Sequence, residues 1–168
     1  MRSKAMIAST LSPPFFYGKL PAHGDFISRG VSRDTLKLFD KWLAEILTAA
    51  KDAWQDSFKE NYYDAQPWLF SGGDMIAVLI PSFDKVERLF PLFVVHNASI
   101  RIQDLYDASI MVITNDLSGD DLFESMSELC PASEQGDALG WFRPDENELA
   151  LPHPFSTPSG KQIETLIQ

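Results

Sequence analysis

Residues Met75-Ile76-Ala77-Val78-Leu79-Ile80 form an unbroken apolar run closed by Pro81. A run of this length suits a strand, and with no polar position it has no face to turn to water. Leu92-Phe93-Val94-Val95, flanked by Pro91 and Asn97, reads as a second strand of the same kind. Two such runs ask for a sheet covered on both sides, with helices on each face. Phe15-Phe16-Tyr17, ending at Gly18, is a short aromatic run consistent with a first buried strand.

The clearest helical signal lies between these runs. Leu36, Phe39, Trp42, Leu43, Ile46, Leu47, Ala50, Trp54 and Phe58 recur at steps of three and four. That spacing predicts one long amphipathic helix, ending near Tyr62. Ser32 is a suitable N-cap, and Asp34 falls in the first turn beside the positive end of the helix dipole. Trp42 and Trp54 sit on the apolar stripe, where packing is the expected role. Before the helix, Gly18 to Gly30 reads as a loop, with Pro21 and three glycines. After it, Pro67 to Phe70 reads as extended, with Trp68 as a sheet-edge anchor, and Ser71-Gly72-Gly73 as a turn. Ser82 to Phe90 is polar and charged, with room for a helical turn.

Further on, Leu105 to Thr114 carries both signals. Ile110 to Thr114 has strand composition, while Leu105, Ser109, Ile113 and Leu117 fall at helical steps, so its type stays open. Ser118 to Leu129 predicts a helix, with Leu122, Phe123, Met126 and Leu129 on one face. Ala138 to Phe142 and Glu148 to Leu151 resemble a hairpin, and Ser159 to Ile167 a short closing helix. Residues 1 to 14 read as a loose leader. No internal repeat or linker divides the chain, so residues 1–168 are expected to be one domain.

Charge and composition exclude whole classes of function. The formal net charge is -10, from 14 basic and 24 acidic residues, which argues against nucleic-acid binding. Ten acids lie between Asp116 and Ala150 against Arg143 alone. That tract reads as a solvated face, with a basic partner as the sharper alternative. One cysteine, Cys130, leaves neither a disulfide framework nor a cysteine zinc cluster. No stretch approaches the ~20 apolar residues of a membrane span, so a cytoplasmic location without membrane insertion is expected.

Catalytic patterns are weak. His23, His96 and His153 have no ligand-like spacing. His23, Asp25 and Ser82 can be imagined as a small hydrolase centre, but Ser82 lacks the glycines that build a nucleophile elbow. Gly18-Lys19 is not a phosphate loop, because Leu20 stands where Ser or Thr is needed. No catalytic, cofactor or metal residues are therefore assigned.

Three segments carry a different kind of information. They are Tyr17-Gly18-Lys19-Leu20-Pro21-Ala22-His23-Gly24-Asp25-Phe26, then Pro67-Trp68, then Val78 to Leu92, which includes Pro81-Ser82-Phe83-Asp84, Arg88 and Phe90-Pro91. In order and spacing, with Trp42 in the intervening helix, this pattern resembles the N-terminal domain of the TagF family of type VI secretion-associated proteins. The resemblance runs from about Phe15 to Val95. It implies a single-domain, three-layer α/β/α sandwich, here expected around a central mixed sheet, with no known catalytic activity or cofactor. It also implies a post-translational repressor that contacts a cytoplasmic forkhead-associated scaffold protein of the secretion system. A structural adaptor of the same machinery is the alternative.

For the motif residues, the chemistry supports loop structure alongside partner contact. Gly18 and Gly24 suit positive φ, and Pro21 stiffens the loop between them. Asp25 is expected to tie down loop amides, with Arg88 as its ion partner. Lys19, Asp25, Asp84 and Arg88 are thus candidates both for maintaining the fold and for touching a partner.

Overall fold

A computed structural model describes residues 13–72 and 74–132 and the backbone of 140–142. Strand β1 (Phe15–Gly18) is followed by β2 (Ile27–Arg29), helix α1 (Arg33–Trp54), a 3-10 turn (Gln55–Ser57) and helix α2 (Phe58–Asp64). Next come β3 (Trp68–Gly72), β4 (Met75–Ile80), β5 (Leu92–Asn97), α3 (Ile102–Thr114), α4 (Gly119–Glu128) and β6 (Gly140–Phe142).

The strands form one open sheet in the order β2-β1-β5-β4-β3-β6. Every pairing is antiparallel, so the expected mixed sheet is corrected. The connections explain why. A parallel neighbour needs a long crossover, usually helical, whereas only two residues separate β3 from β4 and a loop without a helix joins β4 to β5. The result is a single-domain α/β fold on an antiparallel sheet.

Alternation along the strands divides the core in two. Tyr17, Ala77, Leu79, Phe93 and Val95 point to one side, where Phe39, Trp42, Leu43 and Leu47 of α1 and Tyr62 of α2 meet them. Phe16, Ile76, Val78, Leu92 and Val94 point to the other, against Leu105 and Val112 of α3 and Leu122 and Met126 of α4. All six residues of β4 are buried, as the unbroken apolar run requires.

Ser32 caps α1 by accepting from the Thr35 amide at 3.3 Å. The Phe93 ring lies 5.1 Å from both Phe39 and Trp42. The predicted helix does not run unbroken to Tyr62: it stops at Trp54, because Gln55 takes a φ of 50°. The apolar stripe hides this break. Trp54 and Phe58 still pack against the same cluster from either side of it, with rings 6.4 Å apart. Residues 18–30 are likewise not all loop, since the short β2 pairs Ile27 with Gly18 and Arg29 with Phe16. The open segment is the helix α3, which buries Leu105, Ala108, Ser109 and Val112 at helical spacing. Ser118 opens α4 in a reciprocal capping box with Asp121.

Of the expected hairpin, residues 140–142 pair as a strand with β3. Its remainder, the closing helix and residues 1–12 of the leader lie outside the described residues. Trp68 begins β3 and packs at the rim of the first cluster.

Trp42 is only 4% exposed amid this aromatic group. Trp42→Ala is expected to cost ~3–5 kcal/mol, as truncation of a core aromatic does. Denaturant and thermal unfolding check it, and a melt shifted by only a degree or two would contradict it.

Candidate functional site

The segment between β1 and β2 and the segment between β4 and β5 pack on each other around one carboxylate. Asp84 is fully buried, and its Oδ2 lies 3.0 Å from Lys19 Nζ and 2.8 Å from Arg88 Nε. Its Oδ1 accepts from the backbone amides of Val86 (3.1 Å) and Arg88 (2.9 Å). These bonds draw the 84–88 turn around the carboxylate and hold Glu87 in left-handed backbone, φ 63°. Burial alone would push the Asp84 carboxyl up. The Arg88 amide, the Lys19 ammonium, the Arg88 guanidinium and the Val86 amide outweigh it and hold the carboxyl at about 2.

The same pair of segments is stitched by backbone. Arg88 Nη2 donates to the Gly24 carbonyl at 2.6 Å, and the Lys85 amide donates to the His23 carbonyl at 2.8 Å. Ser82 Oγ donates to the Lys19 carbonyl at 2.7 Å. Behind it, the buried Tyr62 hydroxyl donates to the Ser82 carbonyl and accepts from the Ser82 amide. At Gly18, φ is 145° and an added Cβ would overlap the Pro91 carbonyl oxygen, so only glycine fits. Gly24 differs from expectation: a Cβ there would meet nothing, and it serves through its carbonyl.

Above this base sits Phe26. Its ring stacks on Tyr17 at 5.8 Å, meets Phe90 edge-on at 4.8 Å and lies 4.8 Å beneath Lys19 Nζ. Yet it is 45% exposed, and Val86, at the tip of the facing turn, is 65% exposed. The Tyr17 hydroxyl donates to Asp40 of α1, which joins that helix to β1 beneath the Phe26 ring. His23 Nε2 accepts from the Gly119 amide at 2.9 Å, which joins the loop to α4 on the other side.

The four charged candidates therefore separate. Lys19 and Asp84 are buried, while Asp25 and Arg88 reach the surface. The expected Asp25–Arg88 pair is not formed: Arg88 is taken by Asp84, and Asp25 accepts from the Phe26 amide at 2.8 Å. Leu20, Phe90 and Pro91 are buried, Pro81 is half-buried, and Pro21 is buried at the loop's base. The imagined hydrolase centre is not assembled. Ser82 Oγ is spent on a carbonyl, His23 Nε2 on a helix amide and Asp25 on its neighbour's amide. Tyr62 was missed from sequence as a participant, and Val86 was read only as part of the Val78–Leu92 segment. The steps of three and four mark Tyr62 only as core, and nothing in the spacing marks Val86 as the tip of a turn.

The family described as TagF N-terminal domain, Type VI secretion system-associated, matches residues 15–137. The match thus extends beyond the motif segments and takes in α3 and α4. Among solved structures, PA0076 from Pseudomonas aeruginosa PAO1 is similar at 22% identity and a TM-score of 0.49, over 92% of this chain and 76% of that one. No curated protein matches the chain. No described helix is long and apolar enough to cross a membrane.

Asp84→Asn leaves the buried Lys19 ammonium unpaired and is expected to cost ~3–5 kcal/mol, against ~0.5 kcal/mol or less for Asp25→Asn. Equilibrium denaturation of both variants checks the contrast. Because folding lowers the Asp84 value from 3.8 to about 2, its contribution is complete above 3.8 and is lost as pH falls toward 2. Unfolding curves across that interval should flatten in Asp84→Asn relative to the parent.

Proposed function

The chain belongs to the TagF N-terminal domain family, which is associated with type VI secretion, and from that membership we propose that it acts as a post-translational repressor of the secretion system. In this reading it works in the cytoplasm, without chemistry of its own, by binding a forkhead-associated scaffold protein. One domain spanning the chain, layered α/β/α, serves as the scaffold for that contact; the two core clusters on opposite sheet faces support the layering.

The observation that carries the reading is Phe26. A large aromatic half in water is normally free to move, but this one is clamped by two rings and an ammonium. A rigid, exposed aromatic loses little entropy on docking, which is the property of an interface anchor. Val86 is exposed on the turn that Lys85 and Arg88 tie to the same loop, and Asp25, Lys85, Glu87 and Arg88 supply exposed polar positions on the two segments. The buried Lys19–Asp84–Arg88 group then acts as the foundation of the contact.

Binding of the purified forkhead-associated protein tests this. Phe26→Ala and, at the solvent-facing tip, Val86→Glu are each expected to weaken binding by about tenfold or more. Val86→Glu should do so with an unchanged melting curve. Absence of binding by the parent protein, together with unchanged effector secretion on deletion of its gene, would overturn the repressor reading. Binding without any change in secretion would favour a structural adaptor.

A further inference from the structure

The break between α1 and α2 is made at a residue that resists it. From Arg33 to Gln66 the chain has neither glycine nor proline, and Trp54, Phe58 and Tyr62 continue the apolar stripe at four-residue steps. The local signals therefore favour helix through position 55. Yet Gln55 stands at φ 50° and ψ -122°, the first corner of a type II′ turn, where glycine is the usual residue. Its side chain is exposed and donates to the Asp52 carbonyl at 3.1 Å, a bond within its own turn. Such backbone persists only where the surroundings over-determine it.

The surroundings that do so are those of α2. Beyond the break, the Phe58 ring lies 6.4 Å from Trp54 and 5.6 Å from Tyr62, with Lys51 Nζ 5.6 Å from its centre. The Tyr62 hydroxyl donates to the Ser82 carbonyl at 2.7 Å and accepts from the Ser82 amide at 2.9 Å. Docking of α2 thus satisfies the backbone of Ser82, whose own hydroxyl donates to the Lys19 carbonyl. The cost falls on Gln55, and the buried contacts of α2 offset it at a distance.

We propose that α2 is a releasable strap, held closed by Tyr62 against a backbone at Gln55 that favours opening. In the closed state α2 is docked and Ser82 is bonded on both sides. In the open state Gln55 relaxes to right-handed helix, α1 lengthens by about one turn, and Tyr62 leaves Ser82. The sheet keeps its order, because residues 59–67 become the connection to β3, and nine extended residues span up to ~30 Å. Through Ser82 the motif loop gains a second, looser state that requires no unfolding of the core. The strap is a property of the fold and stands or falls apart from the repressor reading.

Native-state hydrogen exchange on the full chain, corrected for intrinsic rates, tests this. In the parent, the Ser82 amide should exchange at least about tenfold faster than the amides of Val78 and Leu79 in β4, which is paired on both edges. Gln55→Gly suits the turn and disfavours the lengthened helix, so it should slow Ser82 exchange by about tenfold. Gln55→Ala keeps the unfavourable corner and strengthens the helix, so Ser82 should exchange as fast as in the parent or faster. The Lys85 amide, which donates to the His23 carbonyl, should slow together with Ser82 in Gln55→Gly. Both substitutions alter an exposed side chain, and circular dichroism checks that the variants fold.

Ser82 exchange at the rate of the β4 amides would show that α2 leaves only on global unfolding, and would overturn the strap. A Ser82 rate that Gln55→Gly leaves unchanged would overturn it as well. Slowing at Ser82 without slowing at Lys85 would confine the opening to α2 and overturn its reach to the motif loop.

Discussion

A single carboxylate organises the part of this molecule that faces outward. Asp84 has no contact with water, and its oxygens are shared among an ammonium, a guanidinium and two amides. A buried charge is tolerated only when its hydrogen-bonding capacity is filled from fixed directions. Filling it requires Lys19 from one loop and the 84–88 turn from another, so satisfying one oxygen pair registers two segments far apart in sequence. Arg88 extends the effect by bonding Asp84 and the Gly24 carbonyl at once.

The aromatic layer depends on that registration. Lys19 neutralises Asp84 and lies over the Phe26 ring, so the same side chain supports the loop from beneath and holds its exposed ring. Tyr17 and Phe90 complete the seat, one from β1 and one from the approach to β5, strands that are neighbours in the sheet. The exposed Phe26 ring is therefore held in place by groups that are themselves fixed from inside the core. Family membership alone would not have distinguished which motif residues build this seat and which face out of it.

Much of this was legible in the residues. The run Met75–Ile80 demanded cover on both faces, and it has it. Ser32 and the apolar stripe located α1 to its first residue, because capping and periodicity are local signals. What escaped was set by distance or by brevity. Strand direction follows from connections rather than composition, so an antiparallel sheet could not be separated from a mixed one. Three residues of β2 are too few to show a period. Asp84, Asp25 and Arg88 were recognised as charges worth pairing, but the pairing was decided by burial: the carboxylate removed from water took the guanidinium, and Asp25, left in solvent, did not.

The span of the ties around the motif loop has a kinetic meaning. Ser82 and Lys19 are separated by 63 positions, Arg88 and Gly24 by 64, and Gly119 and His23 by 96. Ordering the loop early would close long stretches of still-flexible chain for few contacts in return. The hairpin of β3 and β4 and the helix α1 need no such closure. The loop must therefore wait until β5 has been placed beside β1, and its last tie waits for α4. On the ribosome, the tie from His23 to α4 cannot form until the chain has emerged past Gly119, so the loop gains its last anchor only after nearly the whole sheet has been made.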